Sequence, residues 1–332
     1  MTETLPLKPI DADTVDKLTA TIAERNAIRT TVGDVVHQGL RNVYFVGAGG
    51  SIICSYPAYY LLQQKASFPA FQLQSDELNT AVPALMGPGS LVVLASYTGT
   101  TKETVAAAKT AKATGAKVIA AAKAGSPLAE AADAAFTGKS DLFELVVAYE
   151  LLLATGADID NAAVDQALEA LPAAVQRAIE QAEPQLADIA QAFKDEPITY
   201  VLGSGPSYGW AYGLAMCFLQ EMQWKHAAAF NSGEFFQGAF EMVDHDTAVL
   251  LWVGDDASRP MGERARRFLD QYCKKAQYVD VRDLDLPGVP DSVRGDVSPI
   301  VVGALANRLA QHYESVRGHD LEQRRYMFKV EY

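Results

Sequence analysis

Cysteine is scarce in this chain: Cys54, Cys217 and Cys273 are the only three among 332 residues. Their odd number and wide separation exclude a disulfide framework and a cysteine metal cluster, and suit thiols kept reduced in a cytosol. Positive charge is short as well. With 28 Lys and Arg against 41 Asp and Glu, the formal net charge is −13. The basic residues form no cluster along the chain, which excludes nucleic acid and an anionic membrane as partners. An anionic ligand must therefore meet a site built locally. Long apolar runs are missing: nothing reaches bilayer-spanning length, and Met1-Thr-Glu-Thr-Leu-Pro-Leu-Lys8 has neither the basic stretch nor the apolar core of a secretory signal. A cytoplasmic location is expected. His37, His245, His312 and His319 show no ligand spacing, so no metal is expected.

What the chain has is apolar mass and an internal repeat. At 49% hydrophobic residues it can bury a full core as two domains or one pseudo-symmetric double unit. An offset of about 156 residues aligns Tyr44-Phe-Val-Gly-Ala-Gly-Gly-Ser51 with Tyr200-Val-Leu-Gly-Ser-Gly-Pro-Ser207, and places Tyr56 on Tyr212 and Gln64 on Gln220. Each copy reads as a buried strand, a glycine turn and a helix, the opening of a doubly wound α/β unit. Further strands are predicted at Phe71–Leu73, Leu91–Ala95 and Val118–Ala121 in the first half, and at Val249–Val253 and Tyr278–Val281 in the second. The expected organisation is an N-terminal helical segment (1–40), a first subdomain (41–160), a helical linker (161–196) interrupted by Pro172 and Pro184, and a second subdomain with a C-terminal tail (197–332).

The halves differ in one loop. After the strand Leu91–Ala95 comes Ser96-Tyr-Thr-Gly-Thr-Thr-Lys-Glu-Thr104, with five Ser or Thr hydroxyls, ahead of a helix predicted over Val105–Thr114. Helix N–H groups, a close-approach glycine and several hydroxyls make a phosphate cradle, although Ser and Thr are also ordinary helix caps. The second half instead has Gly254-Asp-Asp-Ala-Ser-Arg-Pro260, whose carboxylates repel a phosphate, so the first half alone is expected to hold one. The turn Gly47-Ala-Gly-Gly-Ser51 also approaches a dinucleotide fingerprint, but Ile52 stands where that pattern needs its third glycine.

The second half carries a dense polar segment, Glu221-Met-Gln-Trp-Lys-His226 followed by Asn231-Ser-Gly-Glu234-Phe-Phe-Gln237-Gly-Ala-Phe-Glu241. Glu221, after a helix predicted over Tyr208–Gln220 and next to Met222 and Trp224, is placed for desolvation that would raise its pKa toward proton transfer; the alternative is a paired or exposed glutamate at a helix end. His226 is a second candidate, although a lone histidine of this kind is more often structural or at the surface than catalytic. Glu234 and Glu241 could cap or pair locally.

These residues resemble a family. The paired halves, the Gly-Ala-Gly-Gly-Ser51 turn and the Ser96–Thr104 loop look like the double sugar isomerase (SIS) architecture, which implies two doubly wound parallel-sheet α/β subdomains of flavodoxin-like type. Within it, Glu221-Met-Gln-Trp, Ser232-Gly-Glu-Phe-Phe-Gln-Gly-Ala-Phe-Glu241 and the tail Arg324-Arg-Tyr-Met-Phe-Lys-Val-Glu-Tyr332 look most like the deglycases of 6-phosphorylated fructosyl-amines. The resemblance implies that Ser51, Ser96, Thr98 and Thr101, with the amide of Tyr97, hold a sugar 6-phosphate. Gly49, Gly50, Glu77 and Glu234 would be weaker substrate contacts, Glu221 the proton shuttle, and no cofactor would be needed. It implies a homodimer in which the segment around Gln237 comes from the neighbouring subunit. The family's His-Gly-Pro-Phe-Glu reads Gln237-Gly-Ala-Phe-Glu241 here, and glutamine transfers no proton at neutral pH. His226, water or a different substrate must then account for ring opening. An aldose–ketose isomerase, an amine-transferring relative and a non-catalytic phosphosugar-binding protein are the alternative functions.

Overall fold

The computed structural model describes residues 4–10, 12–327 and 329–331. Met1 to Glu3, Asp11, Phe328 and Tyr332 lie outside the described residues, and with them part of the N-terminal segment and two positions of the tail motif. The chain divides into two compact units, residues 13–172 and residues 1–12 together with 173–332. Among the described residues, no helix is long and apolar enough to cross a membrane.

The first unit is built on five parallel strands: β1 (Asn42–Gly47), β2 (Ala70–Gln74), β3 (Ser90–Ser96), β4 (Lys117–Ala122) and β5 (Ala134–Phe136). Their order is β2-β1-β3-β4-β5. Every residue of β1 and β3 is buried, as near-continuous apolar strands covered on both faces must be. Part of the core packs Tyr44, Val46, Val92, Leu94 and Val118 against Ala107, Ala108 and Ala111 of the helix Lys102–Ala113. This order is the flavodoxin-like winding, whose reversal between β1 and β3 opens a crevice at the carboxyl ends of those strands.

The second unit has β6 (Thr199–Gly203), β7 (Ala227–Asn231), β8 (Val249–Val253) and β9 (Gln277–Asp280), all parallel, in the order β7-β6-β8-β9. Strand for strand it repeats β2-β1-β3-β4, as the 156-residue offset predicts. Two strands carry no sequence signal. Ala227–Asn231 opens with three alanines, helix formers by propensity, and is held extended by pairing from Thr199 with Ala227 to Gly203 with Asn231; β5 has only three residues.

Three further expectations are corrected. The linker is not interrupted: a single helix runs from Asn161 to Phe193 through Pro172 and Pro184. Its buried stripe, Val164, Leu168, Leu171, Val175, Ala178, Ala182, Leu186 and Ile189, keeps helical spacing through both prolines, and that burial outweighs the hydrogen bonds the prolines remove. The helix after the Ser96 loop starts at Lys102, so Lys102 to Thr104 form its first turn. Glu221 does not follow a helix over Tyr208–Gln220; an α-helix, Ser207–Gly213, passes into a π-helical stretch, Leu214–Met222, that contains it. π-Helical turns concentrate at functional sites.

Candidate active site

The sequence-predicted residues fall into three groups, each described within its own unit. In the first unit, Gly47 pairs with Gln74, Val46 with Leu94 and Ser96 with Ala122. The glycine turn and the Ser96 loop therefore leave neighbouring strands side by side at one edge of the sheet. At Gly47 a Cβ would lie 2.8 Å from the Ile52 amide nitrogen, so only glycine permits the sharp entry into the helix Gly50–Cys54 that carries Ser51. At Gly99 (φ 69°) a Cβ would lie 2.0 Å from Ser126 Oγ. The loop is thus pulled tight by its glycine.

Its hydroxyls are already organised. Ser96 Oγ, buried, accepts from the Gly99 amide at 3.2 Å and shares a hydrogen bond with Thr101 Oγ1 at 3.1 Å. Thr98 Oγ1 lies 2.7 Å from Thr100 Oγ1 and accepts from the Thr100 amide at 3.3 Å. Thr101 is the N-cap of Lys102–Ala113 yet makes no side-chain cap, because its hydroxyl is turned to Ser96. The first-turn N–H groups keep their affinity for an anion. Tyr97 is 77% exposed, with the Lys17 ammonium 5.1 Å from its ring centroid. Glu77, exposed, sits on the helix Ser75–Thr80 that follows β2, near this same edge.

The second unit's matching loop is closed by its own charges. Asp255 pairs with Arg282 at 2.5 Å and Arg294 at 3.1 Å. Asp256 accepts from the Ser258 amide at 2.8 Å, and burial pushes its carboxyl up.

Glu221 lines a cavity of about 740 Å³ with Gln220, Trp224, Lys225, His226 and the tail residues Arg324 to Met327. Burial raises the Glu221 pKa, opposed by the charge and hydrogen bond of Arg324, whose Nη2 lies 3.1 Å from Oε1. The expected desolvation is present, but the arginine partner was not foreseen. Cys217 beside it is pushed up to about 12 by burial and by the Glu221 charge, so it remains a thiol. Trp224 has φ 50°, the one positive φ at a non-glycine among the described residues. Its indole is clamped by the Arg325 guanidinium, 4.1 Å from the ring centroid, and by the His319 ring at 4.5 Å. Gln223, fully buried, donates to the His319 carbonyl at 2.7 Å and accepts from Arg317 Nε at 3.2 Å. These contacts stabilise the unusual backbone. Lys225, brought down to about 8 by burial and Arg317, donates its Nζ to the Glu196 carbonyl.

Glu234 and Gln237 are elsewhere. His226 precedes β7 and lies at its amino end with Glu221, whereas Glu234 and Gln237 follow β7 in a 3-10 turn. A five-residue strand separates the two groups by roughly 15 Å. Phe235, Phe236 and Phe240 fix that turn against Phe268, leaving Glu234 and Gln237 exposed. The residues sequence reasoning missed are Arg324 and Arg325 as neighbours of the candidate base. The adjacent arginines of the tail were the available signal, with nothing to show where the tail folds.

The SIS domain pattern matches residues 39–155. Fructosamine deglycase FrlB of Bacillus subtilis (strain 168) is 33% identical over 94% of this chain and 99% of the relative. The chain belongs to the SIS family. Fructoselysine 6-phosphate deglycase of Escherichia coli O157:H7 is 24% identical, covering 90% of this SIS chain and 89% of the relative. A crystal structure from Bacillus subtilis, provisionally assigned as a phosphosugar isomerase, matches with a TM-score of 0.88 and 30% identity, over 97% of this SIS chain and all of that one. The SIS chain is an enzyme of this family, and the names of its relatives support a phosphosugar-processing activity.

Proposed function

We propose that the chain is a cofactor-independent deglycase that converts a 6-phosphorylated fructosyl-amine and water to glucose 6-phosphate and a free amine or amino acid. The observation that carries the proposal is the setting of Glu221: a carboxylate half withdrawn from water, with a raised pKa, in a cavity large enough for a substrate. In the open-chain ketoamine, Glu221 removes a proton from C1 and leaves an enaminol. Returning that proton to C2 forms the imine of glucose 6-phosphate, which water hydrolyses. In the first unit, the Ser96 loop and Ser51 are the groups suited to a phosphate, through helix N–H groups and hydroxyls.

His226 lines the same cavity as Glu221 and is assigned the proton transfer of ring opening. Gln237 stands at the other edge of its own sheet, which supports the reading that it serves a neighbouring subunit in a homodimer.

The test is product analysis on synthetic fructosyl-amine 6-phosphates. Wild type is expected to release glucose 6-phosphate; Glu221→Gln, which keeps shape and removes basicity, should turn over about 10²-fold more slowly with binding retained. Interconversion of fructose 6-phosphate and glucose 6-phosphate, with fructosyl-amines untouched, would identify an isomerase instead. Binding with no turnover of either would identify a phosphosugar-binding protein.

A further inference from the structure

Removing the C1 proton of a ketoamine sends an electron pair toward O2. The C1–H bond breaks, a C1=C2 bond forms, and the C2=O π pair becomes an oxyanion. A base alone does not make this favourable; a cation or donor must meet O2 as the charge appears. The family pattern places a histidine where this chain has Gln237, a residue that cannot supply an acid. The cavity around Glu221 contains another donor.

Arg324 projects from the tail with each nitrogen in a different situation. Nη1 donates to the carbonyls of Leu321 and Gln323 and so anchors the group. Nη2 reaches Glu221 Oε1 at 3.1 Å. Nε is buried and has no hydrogen-bond partner among the described residues. The group is therefore held through Nη1, and its Nη2 is the donor that stands beside Glu221 in the cavity. The spacing suits the reaction. C1 and O2 of the substrate are about 2.4 Å apart by standard bond lengths, comparable with the Glu221–Arg324 separation, so one substrate can present its C1 proton to one and O2 to the other.

We infer that Arg324 is the electrophile of the reaction, its guanidinium meeting the O2 oxyanion through Nη2 while Glu221 holds the C1 proton. This rests on the deglycase reading. Arg324 thereby supplies a charge-stabilising donor within the cavity that holds Glu221. In the absence of substrate the same guanidinium opposes, by its charge and hydrogen bond, the burial that raises the Glu221 pKa.

The experiment compares wild type, Arg324→Lys and Arg324→Ala on a fructosyl-amine 6-phosphate, following glucose 6-phosphate release and the exchange of C1 hydrogen with solvent deuterium. Arg324→Ala should lose about 10²-fold in kcat, the cost of an oxyanion donor, with KM changed only a few-fold and exchange slowed in parallel. Added guanidinium chloride should restore part of that loss in Arg324→Ala and none in wild type, while Arg324→Lys should be intermediate. A role confined to anchoring the tail predicts a raised KM, an unchanged exchange rate in saturated enzyme and no rescue, and that result overturns the inference while the deglycase reading stands. If wild type releases no glucose 6-phosphate, the deglycase reading fails and the inference falls with it.

Discussion

At the scale of single residues, the chain separates groups that are buried for chemistry from groups that are merely buried. Glu144 belongs to the second kind. It lies in the helix Ser140–Ala154 of the first unit, fully buried, with neither carboxyl oxygen partnered among the described residues. Burial, and to a lesser extent the charge of Asp141, pushes its pKa well up, which favours its neutral form in the fold. The sign follows from linkage. Below the ordinary carboxylate range both folded and unfolded states hold the proton; above it the unfolded chain releases the proton and the folded chain does not, so stability falls as pH rises. Glu144→Leu should stabilise the protein by about 1–3 kcal/mol near neutral pH, the cost of an unsatisfied buried polar group. Chemical denaturation at pH 4 and pH 7 checks it, with a larger gain expected at pH 7.

Among the elements, the Ser96 loop is where sequence and geometry agree most closely. Its hydroxyls, its glycine and its place at a strand–helix junction were legible because each is a local property. Ser96→Ala with Thr98→Ala should weaken binding of a sugar 6-phosphate by about 10-fold or more, measured by calorimetry, since each lost charge-assisted hydrogen bond is worth about 1.5–3 kcal/mol. Unchanged affinity would remove the loop from phosphate binding. The strands β1, β3, β4, β6, β8 and β9 were legible for the same reason, as apolar runs between turn residues. β7 was not, because Ala227, Ala228 and Ala229 become a strand only through their partners on β6. The unbroken helix Asn161–Phe193 was hidden by two prolines whose local penalty is outweighed by an apolar stripe running the whole length. For the site, Glu221 was legible from its apolar neighbours, whereas Arg324 was not: an ion pair between a π-helical turn and the chain's tail has no sequence periodicity to announce it.

For the molecule as a whole, the separation of Glu221 and His226 from Gln237 by the length of β7 makes subunit exchange informative. In a homodimer with shared sites, a mixture of Glu221→Gln and Gln237→Arg subunits should regain about a quarter of wild-type activity, since half of a random mixture is mixed dimer and each mixed dimer keeps one intact site. Refolding the two inactive variants together and assaying turnover decides it. No recovery would confine each site to one subunit or remove Gln237 from function.

The repeated strand order has a consequence for how such a chain diversifies. Both sheets wind in a way that leaves a crevice between two parallel strands, and a protein with two equivalent crevices would ordinarily have two guests. Here the second has become self-sufficient: Asp255 gives Arg282 and Arg294 an internal counter-ion, so the copy no longer depends on anything from outside to balance its charge. The repeat thus sets a loop of hydroxyls in one half against a loop whose Asp255 is already matched by two arginines in the other. The polar segment that bears Glu221 lies in that second half.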